Sequence, residues 1–401
     1  MTASTLLVFN GGSSSLKFTL YENGDSESPK EIIFGQIERI TEAPVLILRA
    51  ANGDVLTQKE WPPQSHPSDT ELVAALMTEI EKHQQLPLRA VGHRIVHGGP
   101  HFFQPTILDA QVLAVLEASV PLAPLHLPHN LAPIYAIQKL YPHLPQVGCF
   151  DTGFHSTMPN VARLFALPRE LIDVGVVRYG FHGLSYEYIA GQFAAIDPSA
   201  ARGRTLVAHL GNGASLCAMI DGKSVATSMG FSALDGLIMG TRCGSTDPGV
   251  LLYLLRERNY DAAKLEHLLY HECGLLGLSG GISSDMRDLQ ASDDPLAREA
   301  IDVFCYRVVR EIGAMIAVCG GIDALIFTGG IGEHAAPIRA AICARLACFD
   351  IKIDDAANAK NAQQLHAKNN RVGVWVIPTD EEVVIARHCH ALVGAQAKVF
   401  E

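Results

Sequence analysis

LLVFNGGSSSLKFTLYENG (residues 6–24) returns two hundred positions later as LVAHLGNGASLCAMIDGKS (206–224). Aligned without a gap, Leu6, Gly11, Ser15 and Leu16 fall on Leu206, Gly211, Ser215 and Leu216, and Val207 meets the neighbour of Val8. Each copy reads as a short apolar strand, a Gly/Ser/Asn turn and a second strand. Each then reaches Asn23-Gly24 or Asp221-Gly222, dipeptides that favour hairpin turns. A flexible linker has no reason to recur between two strands. An offset of half the 401 residues instead predicts duplication of a whole lobe.

Helices and strands alternate around the copies. QVGCF (146–150) is a buried strand ending at Asp151. Asp247-Pro248 and Asp294-Pro295 each supply an N-cap and a proline at the first helical position. In the second helix Ile301, Phe304, Val308, Ile312 and Met315 recur every three to four residues, and Gly320-Gly321 ends it. DALIFTGG, GIGEH and AAPIRAAICARL read as strand, glycine loop and helix; VWVIP, TDEE and VVIARHCHALV repeat the pattern. Such alternation predicts an α/β fold with helix-covered sheets, and duplicated lobes predict a cleft between them.

Composition narrows the function. With 48% hydrophobic and 18% charged residues the chain reads as a soluble globular protein. A formal charge of −11 argues against a nucleic-acid partner, though not against a small anion met by a local pair of arginines. Nine cysteines, an odd number without a C-x-x-C pair, fit a reduced cytoplasmic protein. No basic segment leads into an apolar one at the start, so no signal peptide is expected. The most apolar long stretch, 312–332, holds Asp323 and a Gly-Gly break, and reads as helix end, turn and strand rather than a membrane span.

Three glycine-rich loops, at 10–15, 209–213 and 329–333, could hold phosphate on free backbone N–H groups, and the first two are related by the repeat. Neither a P-loop nor an opening G-x-G-x-x-G is present. Ser14-Ser15-Leu16-Lys17 matches S-x-x-K, but its SDN and KTG partners are missing. Lys17, in a strand after the turn, either meets a phosphate or faces solvent. In GHRIVHGG (92–99), His93 and His97 would suit zinc on a helix, yet the apolar residues and paired glycines favour strand and turn. Arg94 there needs an anion, either a structural carboxylate or a ligand. RYGFHG (178–183) and MGTRCG (239–244) put Arg178, His182 and Arg242 in glycine-bounded turns, where function concentrates. Each arginine is equally readable as a satisfied structural one. In PTDEEVV, Thr379 and Glu382 form a capping-box pattern, leaving Glu381 to bind magnesium or simply to favour the helix dipole.

Taken in order, NGGSSSLKF, GHRIVHGG, RYGFHG, HLGNGAS, MGTR, SSDMRD, GGIGE and PTDEE closely resemble the acetate kinases over residues 6 to about 395. That family belongs with sugar kinases, actin and heat-shock chaperones. The resemblance implies two duplicated actin-like (ribonuclease H-like) lobes with an interdomain cleft, one formed by 1–150 with 382–401 and the other by 151–381. It also implies ATP + acetate ⇌ ADP + acetyl phosphate, Mg2+ (with Mn2+ as a substitute), and a homodimer. Position by position, it places Asn10 and Glu381 at the metal and Lys17 at the ATP phosphates. Arg94 would contact the carboxylate or acyl phosphate, with Val96, Leu125 and Phe181 lining the methyl pocket and His126 beside it. His182 and Arg242 would stabilise the transition state, and Asp151 is the family's catalytic acid. The nucleotide would lie on His209, Leu210, Gly211, Asn212 and Gly213, on Asp285, Met286 and Arg287, and on Gly330, Ile331, Gly332, Glu333 and His334.

Chemistry modifies one of these roles. Acetate is already ionised near neutral pH, so no base is needed, and Asp151 is expected to hold the metal's water shell or orient an arginine. The sequence also departs from the family's commonest wording. VRYGFHGLSY lacks one Arg and has Tyr186 for His; TRCGSTDP has Ser245 for an acid; GIGEH ends on His334, at the purine site. FSALDG has Ala233 where a proline normally narrows the acyl pocket, which would admit one more carbon and makes propionate kinase the alternative. An actin- or chaperone-like ATPase is the other alternative. It would need neither two arginines nor a methyl pocket, because its acceptor is water.

Overall fold

The computed structural model describes residues 4–12, 15–23, 29–40, 42–367 and 369–397. Ser13, Ser14 and Gly24, parts of the first loop and turn signals, lie outside these. The chain divides into two compact units, one running to Gly153 and resuming at Asp380, the other spanning Phe154–Thr379. The breaks thus fall later than residue 150 and earlier than 381. Asp151 and Glu381 both engage Arg94, which assigns them to the first unit.

The first unit is built on strands β1 (Ser4–Gly11), β2 (Ser15–Asn23), β3 (Lys30–Glu38), β4 (Val45–Ala50), β5 (Val55–Glu60), β6 (Leu88–Ile95), β7 (Thr106–Ile107) and β8 (Gln146–Phe150). They form one sheet in the order β5-β4-β3-β2-β1-β6-β8-β7. β1 is central, so Leu6, Leu7 and Val8 are all fully buried instead of alternating. On one face Phe18, Leu20, Ile33, Ile37 and Leu46 pack against Leu72, Val73, Leu76 and Ile80 of the helix Asp69–His83. The helix Glu381–Ala397 lies so close to β6 that a Cβ on Gly92 would stand 2.5 Å from Ile385 and 2.6 Å from Cys389.

The second unit holds β9 (Arg204–Leu210), β10 (Ala214–Ile220), β11 (Lys223–Thr227), β12 (Ala324–Thr328) and β13 (Gly373–Val376), ordered β11-β10-β9-β12-β13. The duplication is therefore a duplication of topology. In both sheets two antiparallel hairpins bring the third strand outside the second, and two further strands, β6 and β8 in one and β12 and β13 in the other, lie parallel to the first. Asp221 and Gly222 both have positive φ, the geometry of a type I′ hairpin.

One feature escaped sequence reading. The helix Gly183–Ile196, which follows the first unit's strand β8 in sequence, places Tyr186, Ile189 and Phe193 in the second unit's core with Val207, Ile326 and Trp375. The helix after β13, Glu381–Ala397, packs on β1 and β6 of the first. Each unit is thus completed by a helix that follows the other's last strand.

The helix starts at Asp247 and Asp294 are as expected, each side chain accepting from a first-turn N–H, and Gly320 adopts the left-handed C-cap. Two local expectations need correction. GGIGEH is a short helix, Gly329–His334, and not an open loop, because Glu333 Oε1 accepts from Gly329 N at 2.9 Å and fastens its first turn. The Thr379/Glu382 capping box does not form. Asp380 Oδ1 accepts from Val383 N at 3.0 Å, and Glu382 turns instead to Asn10. Among the described residues no helix is long and apolar enough to cross a membrane.

Candidate active site

In the first unit the reactive groups gather where β1, β6 and β8 end. Arg94 Nε and Nη2 donate to both oxygens of Asp151, at 3.0 and 2.6 Å, the fork-to-fork pairing that fixes a guanidinium plane. Nη1 donates to Asn10 Oδ1 at 3.0 Å, and Nε lies 3.6 Å from Glu381 Oε2. Asn10 Nδ2 donates to Glu382 Oε1 at 2.9 Å. Asp151 is 1% exposed and the Arg94 side chain 20%, so little water screens the pair. Burial pulls the Arg94 pKa down, but Asp151 and Glu381 outweigh it and the net direction is up. Burial, then the nearby Asp151 and Glu382, push Glu381 up to about 7 in spite of Arg94.

This cluster has more carboxylate than cation. Asp151, Glu381 and Glu382 face Arg94, with the exposed Lys17 opposite Asn10 across the β1–β2 ladder. Hard oxygen donors with surplus negative charge suit Mg2+, which takes one or two carboxylates and keeps several waters. Glu381 and the Asn10 amide fit that role. A tight protein-only cage is not what they form, since no three His, Cys, Asp or Glu side chains converge for a metal among the described residues.

Asn130 had not been singled out from sequence. It is 2% exposed, accepts from Val96 N at 2.9 Å and donates to Gly11 O at 2.9 Å, tying the end of β1 to the turn after β6. Its only signal was a polar residue amid the apolar positions of the helix Leu127–Leu140. Val96 is buried, Leu125 is partly buried, and His126 is the N-cap residue of that helix. His93 and His97 are buried strand and turn residues, pushed down to about 3 and about 4 by burial, hence neutral and structural.

In the second unit Arg242 and His182 converge above Gly213. A Cβ there would meet Arg242 Nη2 at 2.9 Å and His182 Nε2 at 3.3 Å. A side chain at 213 would displace one or both of these groups. Arg242 donates Nη1 to Ala233 O at 2.8 Å and has no carboxylate partner among the described residues. The protein packed around it depresses its pKa, with only Tyr270 opposing. Its loop is clamped at Gly274 (φ 65°), where a side chain would strike Met239 O at 2.2 Å. Arg178 is different. Its Nη1 donates to Ser228 O, Met229 O and Asp235, a structural tie. Phe181 is buried, and its carbonyl lies 3.0 Å from His155 Nε2.

Beside these groups is a cavity of about 580 Å3, a size suited to a nucleotide. Gly211, Asn212, Asp285, Met286, Arg287, Gly330, Ile331 and His334 all line it, and Ser284, Gln290 and Ala335 were not anticipated. Five of the expected residues do not. Leu210 and Gly332 are buried, Gly213 lies under Arg242, His209 is stacked on His182 at 4.3 Å, and Glu333 is committed to its own helix turn.

The chain matches the model of the Acetokinase family over residues 5–387. It is 51% identical over 391 residues to the acetate kinase of Rhodopseudomonas palustris, covering 96% of this chain and 98% of that one. It is 45% identical to the acetate kinase of Methylocella silvestris, with 98% of each covered. Among solved structures it superposes with a TM-score of 0.88 on a propionate kinase from Francisella tularensis, 36% identical, covering 96% and 98% of the two chains. The Porphyromonas gingivalis acetate kinase gives 0.84 at 35% identity, with the same coverage. Two sheets of one topology and a sequence match along almost the whole chain lead to one conclusion: this protein belongs to the acetokinase family.

Proposed function

We propose that the protein is an acetate kinase, moving the terminal phosphoryl group of ATP onto acetate and back. The carrying observation is Arg242, a cation the protein has partly desolvated and that has no carboxylate partner among the described residues, beside His182 and a nucleotide-sized cavity. Such a charge is costly unless an anion arrives to meet it. The main obstacle to this reaction is that acceptor and phosphoryl are both negative, so fixed cations and donors must oppose that charge. We assign Arg94 to the acetate carboxylate, and Val96, Leu125 and Phe181 to its methyl, with His126 beside it. Lys17 is assigned to the phosphates, Arg242 and His182 to the charge of the transferring group, and the cavity to the adenosine. Magnesium, when bound by Glu381 and Asn10, supplies charge neutralisation to the phosphates. A coupled assay for ADP tests the reading: release should depend on acetate, and acetate-independent ATP turnover would favour an actin- or chaperone-like ATPase.

A homodimer and a cytoplasmic setting belong to the same reading. Residues 246–273 contain not one buried position, although Val250, Leu252, Tyr253 and Leu255 are among them, so a second copy would give that apolar segment a partner. The nine free cysteines fit a reducing compartment.

Two measurements bear on particular residues. Burial, with Asp151 and Glu382 nearby, pushes the Glu381 pKa up to about 7, and magnesium needs its carboxylate form, so binding should expel a proton. Magnesium affinity is expected to weaken as pH falls through 7, with calorimetric proton release near that pH; a flat affinity between pH 6 and 8 would remove Glu381 from the site. Ala233 bears on the acyl chain. A methylene is worth about 1–3 kcal/mol in a fitted pocket, so propionate should be turned over at a reduced but measurable kcat/KM. A higher kcat/KM for propionate than for acetate would reassign the enzyme as a propionate kinase.

A further inference from the structure

His182 does not stand alone. Its Nδ1 is 2.8 Å from Ser215 Oγ, and Ser215 Oγ is 2.5 Å from the hydroxyl of Tyr186. Ser215 and Tyr186 are both wholly buried. Tyr186 occupies a position where the family's commonest wording has histidine. Resting on the phosphoryl-transfer role given to His182 above, we propose that Ser215 and Tyr186 are positioning residues that fix His182 as its Nε2–H tautomer, so that it meets the transferring group as a neutral hydrogen-bond donor.

The argument is one of donors and acceptors. The Tyr186 hydroxyl has no hydrogen-bond partner other than Ser215 among the described residues. A buried O–H is costly to leave unmade, so Tyr186 donates to Ser215. Burial also raises its pKa well above 10, so the phenol keeps that proton near neutrality. Ser215 Oγ, having accepted from Tyr186, directs its own hydrogen at His182 Nδ1. That nitrogen is then the acceptor, and the imidazole proton sits on Nε2. With a proton on Nδ1, Ser215 Oγ would have to accept from both neighbours, and its own buried hydroxyl hydrogen would lose the acceptor it has in His182.

The geometry gives the tautomer a use. Nε2 is the nitrogen turned toward Gly213, and Arg242 Nη2 faces the same point. A guanidinium and a neutral N–H thus address one place. The reaction asks no more of them. A carboxylate oxygen forms a bond to the terminal phosphorus, the bond from that phosphorus to the bridging oxygen breaks, and its electron pair leaves on ADP. No proton moves, so an imidazole that only donates is sufficient. Histidine at 186 could exchange protons with Ser215 and blur this polarity; tyrosine holds it in one direction.

The test is the nitrogen spectrum of histidine-labelled whole protein, with His182 assigned by comparison with His182→Gln. We expect a pyrrole-type Nε2 and a pyridine-type Nδ1; the reverse pattern would overturn the proposal. In Tyr186→Phe, which keeps the ring, the two nitrogens should move toward averaged shifts. Its kcat should fall about tenfold, with KM for acetate and for ATP within about twofold. Unchanged shifts and unchanged kcat would remove Tyr186 from any positioning role. Ser215→Thr, which retains a hydroxyl, should keep the wild-type pattern if it folds; the wild-type spectrum decides the tautomer whether it folds or not. If the wild type shows no acetate-dependent turnover, the kinase reading fails separately, while the nitrogen shifts still judge the relay.

Discussion

Arg242→Ala is expected to lower kcat by about a thousandfold or more, with nucleotide affinity changed little. The magnitude follows from arginines that meet the charge of a transferring phosphoryl group, which are worth about 10^3–10^5 in turnover. Nucleotide affinity should survive because Arg242 is not among the residues lining the cavity. Arg242→Lys should recover only a small part of the loss. The structure uses the planar fork, one arm donating to Ala233 O while Nη2 faces the space above Gly213 beside His182 Nε2. Folding is not expected to suffer. Removing Arg242 leaves no buried carboxylate behind, and the loop is held by other bonds, Cys273 N to Thr241 O at 3.0 Å and Leu275 N to Met239 O at 2.9 Å. Near-normal kcat in Arg242→Ala, or a loss confined to KM for ATP, would overturn this assignment.

How much of this was legible in the sequence differs by kind of interaction. The repeat at 206–224 was readable because hairpin geometry imposes glycines, turn dipeptides and apolar strands in a fixed order. The sheets reproduce that order. Asp247 and Asp294 were readable because N-caps act within three residues. What failed depended on distance. Thr379 and Glu382 have the right spacing for a capping box, but a hydrogen bond from Asn10, 372 residues away, draws Glu382 elsewhere and Asp380 takes the cap. Asn130 and the Tyr186–Ser215 pair had no local pattern, because their partners lie on other strands and helices. Arg178 and Arg242 looked alike in glycine-bounded turns. Only three-dimensional packing separates the one surrounded by carbonyls and Asp235 from the one with no carboxylate partner among the described residues.

The same distinction governs Asp151, for which we expect Asp151→Asn to lower kcat/KM for acetate about a hundredfold, the scale of a misplaced reacting group. A base at this position has nothing to do, since acetate reaches the enzyme ionised. The structure offers another task. Both oxygens of a carboxylate that is 1% exposed grip Arg94, and Arg94 holds Asn10 on its other side. Asparagine presents one acceptor in place of two and no charge, so the guanidinium loses the fork that fixes its plane and its position relative to the acetate. If Asp151 acts only through Arg94, the two losses must not add. Arg94→Ala should cost on the order of a thousandfold, and the double variant should be no worse than Arg94→Ala alone. A base acting in its own right would give multiplied losses. Magnesium affinity supplies an independent check. It should fall only modestly in Asp151→Asn, because the ligands we propose are Glu381 and Asn10; a complete loss would place Asp151 among the ligands instead.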